Sequence, residues 1–598
     1  MRHFGLYSLA IVLTLGSQAF ADEQAVERIR QDVEFLASQE LEGRLTGTPG
    51  AQAAAEYLAG QLVGVGAVPL AGSDSYLLPF EFVAGADDLG SSVTRSGEAF
   101  GGPKNVSALA FSESTTSTAE VVFVGYGLKI PEGQDFPYNS YAGLDVEGKI
   151  ALALRYFPED ADAESKKIMA RYSGLRYKAL QAREAGAVGL LVVSGPNSPN
   201  AGKTLKKSTD AAFQGSGIVA ATISGKVADW LLRPSGKTLK EVQDELDTGN
   251  PHVAGFVLTG DLVTVGTQVE RVRRQGNNVV GVLPASVDPE LPGSVLVGAH
   301  FDHLGRGESG NSLAGSDEKD AVHAGADDNA SGVAAVLELA EQWAQRERAR
   351  DVVLAFWSGE ELGLLGSQAF SADETALESV PIGYLNFDMV GQLRDDNLVI
   401  QAVGSSPAWS GWIESANVPI GLNLTLQEDP YLPTDSTSFH NAGIPSLSFF
   451  TGSHEYYHRP SDLPDTLNYD GIETVVGVAS GVLRRLVASA EPVEFVQVER
   501  KQSDVGARDG VRAYTGTIPD YASDVVGLRL SGVMAGGPAE AGGLVAGDVI
   551  VEFAGQEIQN IYDYTYALDA VKIGEEIAVV YERDGERGET VIVPTARE

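Results

Sequence analysis

An α/β fold, a mostly parallel sheet flanked by helices with β-rich modules attached, is what this sequence predicts, and three observations carry it. Between residues 269 and 492, apolar runs of strand length alternate with amphipathic helical patterns. A strand that is apolar throughout is one covered on both faces, as in parallel sheets between helices. Residues 106–268 change texture to short β-branched runs, and after the polar stretch "VEFVQVERKQSDVGARDG" the last residues are rich in glycines and short strands. The 598 residues leave room for about three to five domains.

In chain order, residues 1–21 combine a basic start, an apolar run from Leu6 to Gly16 and the small-x-small pattern Ala19-Phe20-Ala21. That is the build of a cleaved signal peptide, with Asp22 as the expected mature N-terminus. The run is too short for a membrane span, and no later segment holds the ~18 uninterrupted apolar residues a spanning helix needs. Export to the periplasm or beyond is therefore expected, without a membrane span. Residues 22–105 open with two helical patterns, "QAVERIRQDVEFLAS" and "TPGAQAAAEYLAGQLVGVGA", separated by the turn-rich "ELEGRLTGTPG". They form the first part of the α/β domain. The insertion at 106–268 supplies the strands "AEVVFVGYG" and "GKIALALRY" and a helix, "RYKALQAREAGA", that feeds "VGLLVVSG". The α/β domain resumes at 269–492 with "NNVVGVLPA", "SVLVGAH", a helix from Ser331 to about Gln345, "DVVLAFWSGEE", "IGYLNFDMVG", "NLVIQAVG" and "IPSLSFFTG". A linker at 493–509 leads to a small β domain at 510–598.

Charge and composition exclude several functions. Forty-three basic against 82 acidic residues give a formal charge of −39, a field that repels a phosphate backbone, so nucleic acid is not an expected partner. The absence of cysteine removes disulfides, thiolate metal sites and a cysteine nucleophile. No G-x-S-x-G elbow occurs, which argues against the commonest serine hydrolase layout.

What remains is a set of histidines and carboxylates. Six of the eight histidines fall between His300 and His458. Polar residues recur where strand patterns stop, in "VGAHFDH", "WSGEE", "NFDMVG" and "GSHEYYH", and ligands of open α/β sheets sit at those carboxyl ends. "HAGADDNASG" adds two aspartates immediately before a helix. Histidine with carboxylate and no sulfur suits one or two zinc ions, and manganese or cobalt also. Two ions need a ligand that touches both, which an aspartate can be, and a free carboxylate to take the proton of an activated water. Glu360 and Glu361 adjoin at a strand end, so one can bind metal while the other faces the water.

The segments "GAHFDH", "HAGADDNASG", "SGEELGLLGS", "LNFDMVG" and "YYHRPSD", in that order, resemble the secreted dizinc aminopeptidase family, which includes bacterial leucyl aminopeptidases. The resemblance covers residues 22–105 and 270–490 and includes the opening "LASQELEGRLTGTPG". It implies two zinc ions per chain and removal of N-terminal residues from peptides with a free N-terminus. Carried over by position, His300, Asp328 and Asp388 hold one ion, and Asp328, Glu361 and His458 the other, with Asp328 as bridge. Glu360 is then the general base, Asp302 orients His300, and Tyr457 steadies the tetrahedral intermediate. Relatives in the family also include carboxypeptidases, a single-zinc cyclising transferase and inactive receptor ectodomains; the complete ligand set speaks against the last.

Residues His454 to His458 spell H-E-x-x-H, which on a helix would bind zinc with Glu455 as base. Here the motif follows a strand and Gly452-Ser453, and Pro460 disfavours helix at Arg459. The match is read as accidental, with His458 a ligand and His454 left to line the pocket or cap a loop. Asp327 is expected to cap or brace. His303, His323, His440 and Asp435 are open between site wall and loop hydrogen bonding.

"VVFVGYGL", "YNSYAGLDVEGKIALALRY" and "KALQAREAGAVGLLVVSG" look like the protease-associated domain, expected to shape access to the site. "VVGLRLSGVMAGGPAEAGGLVAGDVIVEFAGQEIQNIYDYTYAL" resembles a PDZ domain, with "GLRL" as its peptide-facing strand and a peptide or protein as its ligand. The rival reading from another class is a peptide-binding protein whose metal site is structural. Structural zinc is usually closed by four protein ligands, whereas three per ion leave room for water.

Overall fold

The computed structural model describes residues 23–595 apart from 131–137, 206–214, 248–254, 289, 309–310, 316–317, 319, 374–379, 499–512, 520–524, 535, 559–563, 565–566, 569–570 and 572. The expected signal peptide and most of the expected linker lie outside the described residues. Contacts divide the chain into two compact units, one of residues 1–78, 277–452 and 456–498, the other of 79–276, 453–455 and 499–598.

The first unit is built on a sheet whose strands are β1 (Val269–Leu283), β2 (Ser294–His300), β3 (Val352–Trp357), β4 (Pro381–Phe387), β5 (Asn397–Gln401), β6 (Asn423–Leu426) and β7 (Ser446–Phe450). Their spatial order is β1-β3-β2-β4-β7-β5-β6, with Leu77–Asp88 outside β1. Parallel pairing joins β2 to β3 and β4, β4 to β7, and β5 to β6; β1 and β3, and β5 and β7, run antiparallel. β2, β3, β4 and β7 are buried along their whole length, which is why they read as continuous apolar runs rather than alternating ones.

Alternation still decides the two faces. Val295, Val297 and Ala299 of β2, with Leu354, Phe356, Leu385 and Phe387, point into the larger core. Leu296, Val353, Trp357 and Tyr384 point into a smaller one with Phe370 and Phe439. The larger core is closed by α1 (Glu23–Leu36), α2 (Pro49–Gly64), α3 (Gly332–Ala344) and a helix at Tyr469–Ala488. Ile29, Val33 and Leu36 recur at helical spacing on α1 and are fully buried, each contributing about 1.5–3 kcal/mol. Arg28 clamps α1 to α3 through Glu338, with 2.9 Å bonds to both oxygens of that buried carboxylate. α2 starts at Pro49 behind Thr48, whose hydroxyl accepts from Ala51 N.

The second unit holds two sheets. In the first the order is Glu98–Gly101, Ser92–Arg95, Phe256–Gly266, Thr116–Phe123, Ile150–Leu154, Gly189–Val193, Val219–Ile223 and Val106–Ala108, and the run from Thr116–Phe123 to Val219–Ile223 is parallel. Sequence texture groups residues 79–105 with the α/β domain. The structure pairs Ser92–Arg95 with Phe256–Gly266, so that stretch goes with the second unit. The other sheet is antiparallel, in the order Thr517–Pro519, Leu528–Val533, Val549–Phe553, Ile577–Arg583, Glu586–Ile592. "GLRL", expected to face a peptide, lies between two strands here, and the outer strand on that side is Thr517–Pro519. No helix among the described residues is long and apolar enough to cross a membrane.

Candidate metal centre

The strand ends of the first unit bring the expected residues together. His300 ends β2, Asp388 directly follows β4, Glu360 and Glu361 follow β3, and His458 lies beyond β7. Asp328 sits in the turn Ala326–Ser331 ahead of α3, where Asp328 and Asn329 leave helical geometry. That turn is fastened on two sides. The Asp462 carboxylate accepts from Asp327 N at 3.0 and 3.1 Å and from Asp328 N at 3.1 Å. Asp327 Oδ1 accepts from Gly391 N at 2.7 Å, while Asn329 Oδ1 accepts from Met389 N at 3.1 Å and Asn329 Nδ2 donates to Phe387 O at 2.9 Å. Asp327 is thus a brace, and with Asn329 it fixes the backbone on both sides of Asp388.

Arg44 sets the opposite wall. It is fully buried and donates to Phe301 O at 2.8 Å, Ala324 O at 2.7 Å, Gly325 O at 3.0 Å and also to Leu36 O. One guanidinium therefore ties the loop after His300 to the loop that leads into Asp328. Burial lowers its pKa to about 10, against the pull of Asp302, Asp462, Asp328 and Glu361.

Spacing separates ligand pairs from hydrogen-bonded ones. His300 Nε2 lies 3.4 Å from Asp328 Oδ1 and 3.4 Å from Asp388 Oδ1. His458 Nε2 lies 3.3 Å from Asp328 Oδ2 and 3.2 Å from Glu361 Oε2. Charge-assisted hydrogen bonds are shorter, at about 2.7–2.9 Å, whereas the edge of a tetrahedron around zinc with ~2.0–2.1 Å bonds is about 3.3–3.4 Å. Asp328 turns one oxygen to each histidine. The other ring nitrogens are occupied: His458 Nδ1 is 2.9 Å from Asn311 O, and His300 Nδ1 is 3.3 Å from Asp302 O. Both arrangements leave Nε2 facing the carboxylates. The residues fit a pair of N/O-coordinated ions.

Glu360 falls in one group with His300 and Asp388, within 4.8 Å of each other. Asp302, expected to orient His300, meets the ring through its backbone carbonyl at 3.3 Å, while its carboxylate stands 3.8 Å away, beyond hydrogen-bond length. Its oxygens instead accept from Glu360 N at 3.1 Å and from the Thr46 hydroxyl at 3.0 Å, so it holds the Glu360 backbone. The Tyr457 ring is stacked on His458 with centroids 3.9 Å apart. His454 and Glu455 belong to no group of candidate ligands among the described residues, and residues 451–458 form loop and turn without helix. His458 has φ +56°, which a helix would forbid. The H-E-x-x-H string is not a zinc-binding helix. His303 is bonded to Glu361 and His323 to Ser312, while Asp435 is buried near Ser367 and burial raises its pKa to about 7.

Electrostatics follow from packing these groups without solvent. Burial pushes the histidines down, but Glu360, Asp328 and Asp388 around His300, and Glu361 and Asp328 around His458, outweigh it and raise both well above the usual range. Burial raises Asp328 and Glu361, yet their histidine partners prevail, holding Asp328 well below the carboxylate range and Glu361 at about 2. Burial dominates at Glu360 and pushes it well up. The metal-free histidines are therefore protonated at neutral pH, whereas a metal takes the neutral ring. Zinc loading at pH 7 is expected to release about two protons, so affinity rises with pH until the raised histidine pKa values are passed. Calorimetry in buffers of different ionisation enthalpy reads the number; no release would refute this charge state.

Residues 278–483 match the model of peptidase family M28, residues 117–231 that of the PA domain and residues 529–583 that of the PDZ domain. The chain carries an M28 peptidase domain. Leupeptin-inactivating enzyme 1 of Streptomyces exfoliatus is 32% identical over 166 residues, 27% of this chain and 34% of that protein, so the match spans about a third of its length. An aminopeptidase of Pseudomonas aeruginosa (strain UCBPP-PA14) is 25% identical over 499 residues, 78% of this chain and 81% of that protein. Among solved structures, an aminopeptidase from Aneurinibacillus sp. strain AM-1 is 22% identical with a TM-score of 0.48, covering 79% of this chain and 96% of that one. The M28 match spans His300, Asp328, Glu360, Glu361, Asp388 and His458.

Asn329, Asp462 and Arg44 are the residues that sequence reasoning passed over. Each stood in a quoted segment, but an invisible carbonyl or amide partner gives a sequence no signal.

Proposed function

We propose that the chain is an exported aminopeptidase that works with two zinc ions and removes N-terminal residues from peptides. The observation that carries this is the Asp328 carboxylate, whose two oxygens face different histidines at ligand-edge rather than hydrogen-bond spacing. His300, Asp328 and Asp388 are the proposed ligands of one ion, and Asp328, Glu361 and His458 those of the other; three per ion leave a place for water. The relatives named aminopeptidase support the substrate class. Zinc held by these residues would supply Lewis-acid polarisation of the scissile carbonyl and a bound water of lowered pKa, toward ~7. Glu360 takes the proton of the attacking water and returns it to the leaving amine. Asp302, through its bond to Glu360 N, keeps that carboxylate in register, and the Tyr457 hydroxyl donates to the oxyanion. The PA domain is assigned to shaping access, and the PDZ domain to a peptide ligand added at the strand Thr517–Pro519. Export rests on the first 21 residues.

The test is mass spectrometry of peptides with free and acetylated N-termini, incubated with the purified protein before and after chelation. Stepwise loss from free N-termini only, abolished by chelator, is the expected result. Internal cuts in both forms, C-terminal trimming, or no cleavage by protein of verified zinc content would each overturn it.

A further inference from the structure

His303 is fully buried, and its Nδ1 lies 2.7 Å from Glu361 Oε1. A carboxylate oxygen only accepts, so Nδ1 carries the hydrogen. This separation is hydrogen-bond length and shorter than any edge of a zinc tetrahedron, unlike the 3.2–3.4 Å spacings of the two other histidines. The second Glu361 oxygen, Oε2, faces His458 Nε2 at 3.2 Å. Asn311 Nδ2 also donates to Oε2, at 3.1 Å. The two oxygens of one glutamate are thus sorted by their partners. We propose that His303 is a positioning residue that holds Glu361 to one metal-facing oxygen, so that the glutamate cannot close the remaining coordination place with its second.

The surroundings keep the ring in place. Gly325 has φ +58°, and a Cβ there would stand 2.5 Å from His303 Cδ2, so the glycine both makes the turn and gives the ring its room. The rings of His458 and His323 lie 5.9 and 6.4 Å away, centroid to centroid. His303 Nε2 has no partner among the described residues, so the bond to Glu361 is what orients the ring. The reading competes with one in which His303 is itself a ligand, since one of its ring nitrogens shares a group with Asp328 and Glu361.

The proposal rests on the zinc reading above, and its test separates the two. Wild type, His303→Asn and His303→Leu are compared for zinc stoichiometry, zinc retention against a chelator and the visible absorption of the cobalt-substituted protein. Asparagine puts an N–H close to where Nδ1 stands and should keep wild-type retention and spectrum. Leucine should still take up two ions at saturation, but hold them about 10- to 100-fold less tightly. Its cobalt bands should weaken, because a second glutamate oxygen raises the coordination number. If leucine does not fold, His303→Gln, which keeps bulk and polarity but displaces the donor, takes its place with the same expectation. Loss of one ion in both the asparagine and the leucine variants would make His303 a ligand and overturn the proposal. A wild-type spectrum and retention in the leucine variant would reduce the ring to filler and overturn it as well. Failure of wild type to bind zinc would instead defeat the reading beneath it.

Discussion

Glu360→Gln is expected to lower turnover by about 100-fold or more while the zinc content stays at the wild-type level. Glutamine has the size of glutamate and can still accept a hydrogen bond, but it cannot take a proton at neutral pH. The Glu360 backbone is held by Asp302, a bond that the substitution leaves intact, so loss of geometry is not the cause of the defect. KM should change little, because the proton is moved only in the transition state. The pH profile supplies the second reading. Burial raises the Glu360 pKa, with Asp388, Glu361 and Asp435 adding to it against His300, and the base works only when ionised. Nearby zinc ions would draw that pKa back down, so wild-type activity should fall as pH drops through the value Glu360 has in the metal-loaded site, and the variant should lose this acidic limb. Because Glu360 stands in one group with His300 and Asp388, a rival role as a ligand is open to it. A variant that loses an ion, or one with full zinc and near-normal turnover, would refute the base.

Sequence carried the ligands further than it carried what holds them. Polar residues at the ends of apolar runs marked the region, but His300, Asp328, Glu361, Asp388 and His458 could be named as ligands only through the resemblance carried by "GAHFDH", "HAGADDNASG", "SGEELGLLGS", "LNFDMVG" and "YYHRPSD". The parallel sheet was legible in the apolar runs themselves, since β2, β3, β4 and β7 are buried from end to end. Arg44 was not, although it is one of the largest fully buried side chains. An arginine in a turn-rich stretch reads as solvated, and only the meeting of four carbonyls, one from the end of α1 and three from two distant loops, makes it a pin. Asp302 shows a subtler limit. The resemblance gave it the task of orienting His300; its backbone carbonyl lies 3.3 Å from that ring, while its carboxylate is spent on Glu360 N and Thr46. The boundary at Leu78 was hidden because strands Ser92–Arg95 and Glu98–Gly101 are short, and what assigns this hairpin is the pairing of Ser92–Arg95 with Phe256–Gly266, more than 150 residues on. "GLRL" misled in the same way, since an apolar strand pattern does not say which strand lies outside it.

Asp328→Ala is expected to do more damage than Glu361→Ala or Asp388→Ala, and the difference between them tests the bridge. If Asp328 serves both ions, its loss leaves each with two protein ligands, whereas losing Glu361 or Asp388 strips one ion and spares the other. Zinc per chain should then fall by about one in each of the two single-ion variants and toward zero in Asp328→Ala. Removing the metals removes several kcal/mol of transition-state stabilisation, so turnover of Asp328→Ala should drop about 1,000-fold or more. The same substitution has a signature in the metal-free protein. His300 and His458 owe part of their raised pKa values to Asp328, so both should titrate lower in the variant, and the protons released on adding zinc should fall with them. A purely structural Asp328 would act otherwise. The turn Ala326–Ser331 is held by the Asp327 and Asp328 amides and the Asn329 side chain, none of which the substitution removes. Metal analysis of the three variants at equal free zinc decides it: equal losses in all three would dissolve the bridge, and a loss confined to one ion in Asp328→Ala would assign the carboxylate to that ion alone.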